Sequence, residues 1–130
     1  AEWERASRGV DSLRYPWGKN EDPKRANVLD NPALTQHALM PVKSFAATPE
    51  YQMAGNVWEM LEGPVTPTAD DLARFAQLTP PATADEKWIQ IRGGSFYTPL
   101  ADAVTYQYRA IPERFAAPDI GFRCAKPLKP

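Results

Sequence analysis

Apolar and polar residues alternate at only a few places along this chain, and those places predict its strands. Trp88-Ile89-Gln90-Ile91 alternates into Arg92 and then meets Gly93-Gly94, the pattern of a strand ended by glycines. "VTYQYRA", residues 104–110, alternates with Val104, Tyr106 and Tyr108 on one face, which predicts a second strand with both tyrosines in the core. "GNVWEML", 55–61, predicts a short strand after a Gly-Asn turn, and "IGFRCAK", 120–126, a final one.

Helical spacing occurs twice. In "TADDLARFAQL", 68–78, Leu72, Phe75 and Ala76 share a face. Thr68 suits the N-cap, and Asp70 and Asp71 complement the positive first turn. "EWERASR", 2–8, predicts the last turns of a helix, with Gly9 at the left-handed position that stops it. Residues 26–50 carry Asn27, Asn31, Pro32, Pro41 and Pro49 and little period, which predicts irregular structure. "YPWGKNEDPKR" is a turn-rich loop, under which Trp17-Gly18 is expected to tuck an aromatic. The sum is an α+β domain with short strands and long ordered loops, where function often sits.

Composition narrows the chemistry. The chain of 130 residues fits one domain. Its 15 basic and 16 acidic side chains leave a net charge of -1, which argues against a nucleic-acid partner. No apolar run is long enough to span a bilayer, so insertion by this chain is not expected. The single Cys124 and the single His37 exclude a multi-thiolate or His/Cys zinc site. Cys124, in the final strand, is expected to be a small buried hydrophobe, and His37 a surface residue. With 14 prolines and Trp3, Trp17, Trp58 and Trp88 spread along the chain, a loop-rich folded domain is expected.

"IRGGSF" matches neither a Walker loop nor a dinucleotide fingerprint, and Pro99 limits any helix after it. The glycines instead allow a sharp turn or a close backbone approach. Glu59, behind the Gly-Asn turn, is either a solvated carboxylate or, with loop carbonyls, an oxygen ligand for calcium. Arg92, Arg109 and Arg123 lie on or beside predicted strands. They either pair with buried carboxylates such as Glu59 or Asp119, the favoured reading, or present a fork to an anion.

"AEWERASRG", "YPWG", "MAGNVWEM", "IRGGSF" and "GFRCA" occur in that order from Ala1 to Ala125. The series resembles the formylglycine-generating enzyme, or sulfatase-modifying factor, family. It covers the C-terminal half of the usual family domain, so residues 1–130 are expected to be that half. The stretch "GPVTPTADDLARFAQLTPPATADEKWIQIRGGSF" resembles the version attached to bacterial serine/threonine kinase-like proteins.

The resemblance implies a variant of the C-type lectin-like fold, loop-rich with short antiparallel strands and calcium in its loops. It implies one calcium site on carbonyls of Gln52, Gly55 and Val57 with the Glu59 carboxylate. It implies a second beginning at Asn27 and the Val28 carbonyl. It also implies that an active member holds copper(I) on two cysteines, a soft pair suited to a soft ion. Those positions are Thr98 and Ala103 here, so copper is not expected, and the chain is expected to be a pseudoenzyme. Iron chemistry, which in other branches draws on a separate histidine-bearing domain, is not supported.

The leading expectation is a non-catalytic binding or sensor module that takes a protein or small-molecule ligand through residues 96–119, with Phe96, Tyr97, Thr98, Asp102 and Arg109 as candidate contacts. One alternative is an enzyme of altered chemistry using Tyr97, Thr98, Asp102 or Arg109. The other is a structural subunit of a split domain, completed by the N-terminal half in cis or as another chain, and marginally stable alone. Loop calcium and a kinase context favour an extracytoplasmic location.

Overall fold

The computed structural model describes residues 2–45 and 52–127; positions 46–50 of the irregular 26–50 stretch therefore lie outside it. Four short strands form one sheet in the order β3-β2-β1-β4: β1 Trp58–Pro64, β2 Trp88–Arg92, β3 Tyr108–Pro112 and β4 Ile120–Gly121. β2 pairs antiparallel with both β1 and β3. β1 carries a register shift between Met60 and Pro64. β4 runs parallel to β1, through Trp58 opposite Ile120, so the expectation of purely antiparallel strands is corrected.

Two helices flank the sheet. α1, Glu2–Arg8, ends as expected at Gly9, whose N–H reaches the Arg5 carbonyl at 2.9 Å. α2, Ala69–Arg74, is shorter than the 68–78 pattern. Thr68 caps it and Asp71 answers with a reciprocal bond, a complete capping box. Phe75 closes it because its ring turns into the core. There Phe75 meets Trp88 edge-on at 5.7 Å and Phe115 at 4.9 Å.

The core has two parts. Trp58, Phe75, Trp88, Ile89, Ile91, Ala110 and Ile111 fill the sheet side. Tyr15, Ala26, Val28, Leu100, Ala103 and Val104 form a second cluster among the loops. Hydrogen bonds between the loops satisfy the buried backbone of so irregular a chain. Leu29 donates to the Thr98 carbonyl (3.0 Å), Thr105 to Arg14 (2.9 Å), Gly55 to Gly93 (2.7 Å) and Phe96 to Asn56 (3.0 Å). Trp17 stacks on Tyr15 with centroids 5.2 Å apart, the tucked aromatic expected from Trp17-Gly18.

Four expectations fail. The 104–110 segment is not one strand: Leu100–Ala103 is a 3₁₀ turn, and β3 begins only at Tyr108. Val104 is buried, but Tyr106 is 57% and Tyr108 49% exposed, so neither tyrosine is core. The alternation was real, but a turn in its middle broke the face it implied. The final strand is two residues long, and Cys124 beyond it is exposed. His37 is exposed as expected. Among the described residues, no helix is long and apolar enough to cross a membrane.

Candidate functional site

β2 leads straight into the loop that carries the two positions of interest. Gly93 and Gly94 have φ of +97° and +69°, which turns the chain sharply at the strand end. A Cβ on Gly94 would lie 3.1 Å from the Ala103 Cβ, so the 3₁₀ turn bearing Ala103 rests directly on this glycine. Ser95 follows, fully buried, and its hydroxyl donates to Asp119 Oδ2 at 2.6 Å. Asp119 thus serves a serine, while its expected arginine partner lies elsewhere.

Thr98 is 8% exposed, and its hydroxyl is committed on both sides. It accepts from the Ser95 N–H at 2.8 Å and donates to the Ser95 carbonyl at 3.3 Å. Ala103 is completely buried and offers only a methyl. The pair fixes a turn and supplies no soft ligand, so copper(I) does not fit the residues present.

The other candidate contacts divide by exposure. Phe96, at 3%, and Thr98, at 8%, are buried. Tyr97 is 53% exposed. Arg109 donates to Asp102 Oδ2 at 2.8 Å, and its guanidinium lies 4.9 Å from the Trp58 ring centroid. Tyr97, Asp102 and Arg109 are the accessible members of the set.

The 52–59 segment has an unusual backbone, with three left-handed residues close together. Gln52, Gly55 and Asn56 have φ of +42°, +73° and +69°. Gly55 runs so close to Asn27 that a Cβ would sit 2.5 Å from the Asn27 carbonyl oxygen. Asn56 is the hub: its N–H reaches the Asn27 carbonyl at 2.8 Å, its Oδ1 accepts from Asn27 Nδ2 and the Met40 N–H, both 2.9 Å, and its Nδ2 donates to the Met40 carbonyl.

Glu59, 8% exposed, is gripped from two directions. Arg123 Nε donates to Oε2 at 2.8 Å and Nη2 to Oε1 at 2.6 Å, while Trp3 Nε1 donates to Oε2 at 2.5 Å. Of the favoured arginine pairings, Glu59–Arg123 is present; Arg92 pairs with Glu4 at 3.3 Å. The carboxylate keeps a lone pair on Oε1, since such a group accepts about four bonds. Gln52, Gly55, Val57 and Glu59 line one cavity with Arg123, whose Nη2 also donates to the Gln52 carbonyl at 3.4 Å.

Asn27 and Val28 are both buried, and Asn27 lines the same cavity, together with Arg25 and Lys43. Among the described residues no group of three His, Cys, Asp or Glu is placed to hold a metal.

Sequence reasoning missed Trp3 and Asn56. Asn56 had a signal, since Gly-Asn permits consecutive left-handed residues. Trp3 had none, because its partner lies 56 positions away.

The profile of the sulfatase-modifying factor enzyme 1-like domain matches residues 1–128. A serine/threonine-protein kinase pkn1 of Chlamydia caviae is 33% identical over 99% of this chain and 20% of its own length. The inactive C-alpha-formylglycine-generating enzyme 2 of Mus musculus is 30% identical over 95% of this chain and 40% of its own. Among solved structures, CarF superposes with a TM-score of 0.68 at 22% identity, over 98% of this chain and 45% of that one. PvdO from Pseudomonas aeruginosa gives 0.66 at 20% identity, over 93% and 48%. The chain thus spans between a fifth and a half of the relatives it matches.

Proposed function

The chain belongs to the sulfatase-modifying factor enzyme 1-like domain family, and from that premise we propose that it is a non-catalytic member, a binding module on a C-type lectin-like variant of the fold. The observation that carries this reading is the pair Thr98 and Ala103. The hydroxyl of one is consumed by Ser95, and the other is a buried methyl. Relatives named as inactive formylglycine-generating enzymes support it.

The binding face in this proposal is the loop surface around Tyr97, Asp102 and Arg109, widened by the exposed Tyr106 and Tyr108. Aromatics and an arginine are the residues that enrich recognition surfaces. Its occupant is a protein or small-molecule ligand. Similarity to kinase-borne domains suggests a sensing or docking role within a longer chain, with the N-terminal half of the domain supplied in cis or by another chain.

Calcium is the structural part of the proposal. Carbonyls of Gln52, Gly55 and Val57 with the Glu59 carboxylate would hold it and pin the turn. Added calcium should raise the melting temperature, and Glu59→Gln should remove that response.

The catalytic question is tested with copper(I), oxygen and a cysteine-containing peptide. The purified chain should show no copper-dependent oxygen uptake and no loss of peptide thiol to aldehyde. Copper-dependent turnover would end the non-catalytic reading.

A further inference from the structure

A cleft of about 380 Å³ lies between the sheet and α2, on the face that carries Trp58 and Ile91. That volume is within the range of small-molecule sites, roughly 300–1,000 Å³. Its floor is apolar. Trp58, Phe75, Ile91 and Ile111 are buried there, and Phe115 and Ile120 line it half-buried. An aromatic ring suits such a floor, because edge-on and offset contacts with Trp58 and Phe115 add to the area it buries.

Two opposite charges, Arg109 and Asp119, line the same cleft, and no ion pair joins them. Arg109 gives Nη2 to Asp102 at 2.8 Å. Its Nε and Nη1 have no hydrogen-bond partner among the described residues, and its side chain is 35% exposed. Asp119 Oδ2 takes the Ser95 hydroxyl at 2.6 Å. Oδ1 takes no donor among the described residues, yet it is not sealed from solvent. Arg74 also lines the cleft, but it is 47% exposed and already answers Asp71 at 3.3 Å.

These two groups select the ligand. An anion would be drawn to Arg109 and repelled by Asp119, and a cation the reverse. A molecule with both charges satisfies both, each through a charge-assisted hydrogen bond. We propose that this cleft binds a free apolar α-amino acid. Its ammonium meets Asp119 Oδ1, its carboxylate meets the Arg109 guanidinium, and its side chain rests on the Trp58 floor. The inference rests on the binding-module reading, since Arg109 also belongs to the Tyr97 face, and it narrows the small-molecule ligand to one class. Absence of amino-acid binding together with absence of copper-dependent turnover would remove this inference alone.

L-Phenylalanine is the probe. In nitrogen-15 spectra of the full 130-residue chain it should give saturable shifts at the Trp58 indole N–H and the Ile120 amide. A Kd below about 1 mM is expected for a ligand of this size. Hydrocinnamate lacks the ammonium, phenethylamine the carboxylate, and N-acetylphenylalaninamide both charges. Each should bind about tenfold or more weakly. Asp119→Asn keeps an acceptor for Ser95, and Arg109→Met keeps an apolar stem over Trp58. Each should weaken phenylalanine about tenfold, and Asp119→Asn should leave hydrocinnamate no weaker than before. Equal binding of N-acetylphenylalaninamide would reveal a pocket for a peptide side chain and overturn the proposal. So would equal binding of either singly charged analogue, or no saturable shift in a chain whose spectrum is folded.

Discussion

Arg123 holds Glu59 by both oxygens, with Nε at 2.8 Å from Oε2 and Nη2 at 2.6 Å from Oε1. The bond spans 64 positions and ties the chain after β4 to β1, while Trp3 brings α1 to the same carboxylate. One acidic residue therefore joins three separate parts of the fold.

Removing the partners should have unequal effects. The Arg123 side chain is 38% exposed and the Glu59 side chain 10%, so the arginine keeps part of its hydration while the carboxylate does not. Arg123→Ala should lower stability by about 1–3 kcal/mol, with the exposed arm keeping the loss well below that of a fully buried pair. Arg123→Lys should recover less than half of it, since an ammonium cannot reproduce the two parallel bonds. Urea midpoints at constant m-value would read the order. Equal stability of the lysine variant and the parent would contradict the two-pronged geometry.

The capping box of α2 is the next test. Thr68 Oγ1 accepts from the Asp71 N–H at 3.2 Å, and the Thr68 N–H donates to Asp71 Oδ2 at 2.8 Å. Thr68→Ala should cost about 1 kcal/mol, and Thr68→Ser much less. The loss should appear in unfolding followed by tryptophan fluorescence, because α2 delivers Phe75 onto Trp88.

That cap shows what was legible in advance. Thr68, Asp71 and the α1 stop at Gly9 were readable because each depends on residues within one helical turn. β2 was readable because Ile89 and Ile91 flank the polar Gln90 and paired glycines end the run, and four of its five residues are buried. Tyr106 and Tyr108 misled because a strand and a turn can share an alternating pattern until a neighbour fixes the register. The two copper positions were legible only by resemblance, since nothing in "YTPLADA" itself marks Thr98 or Ala103. Their burial and hydrogen bonding depend on Ser95, Gly94 and the loop packing beneath them, which single-chain periodicity does not encode.

Tyr15 supplies a pH dependence. Its side chain is fully buried, and burial pushes its phenol above the usual 10.0, against the pull of Arg14. The hydroxyl has no hydrogen-bond partner among the described residues, and the Arg14 guanidinium lies 5.5 Å from the ring centroid. Above pH ~10 the unfolded chain releases this proton while the folded chain retains it. The folded state then binds more protons, so stability falls as pH rises; below pH ~10 this contribution is flat. Tyr15→Phe should remove that part of the alkaline loss in urea melts. It should be nearly neutral at pH 7, because it deletes a hydroxyl that nothing satisfies. A large loss at pH 7 would show a hidden partner for the hydroxyl.

Gly94 separates backbone strain from contact. Its φ of +69° nearly equals the +63° of Gly9, so alanine meets the same backbone penalty at both, about 1 kcal/mol. The surroundings differ. A Cβ at Gly9 meets nothing within 4 Å, whereas at Gly94 it lies 3.1 Å from the Ala103 Cβ and 3.3 Å from the Ala103 backbone. Ala103 is fully buried and packed with Leu100 and Val104, so it has no direction in which to yield. Gly9→Ala should therefore cost about 1 kcal/mol and Gly94→Ala about 2–4, the excess being overpacking. Ala103→Gly placed in the Gly94→Ala background should return part of that excess, although the same change costs stability alone. The coupling in that double-mutant cycle measures how firmly the 3₁₀ turn rests on the glycine. Additive losses would mean that the two residues do not touch and that the turn bearing Ala103 is held from elsewhere.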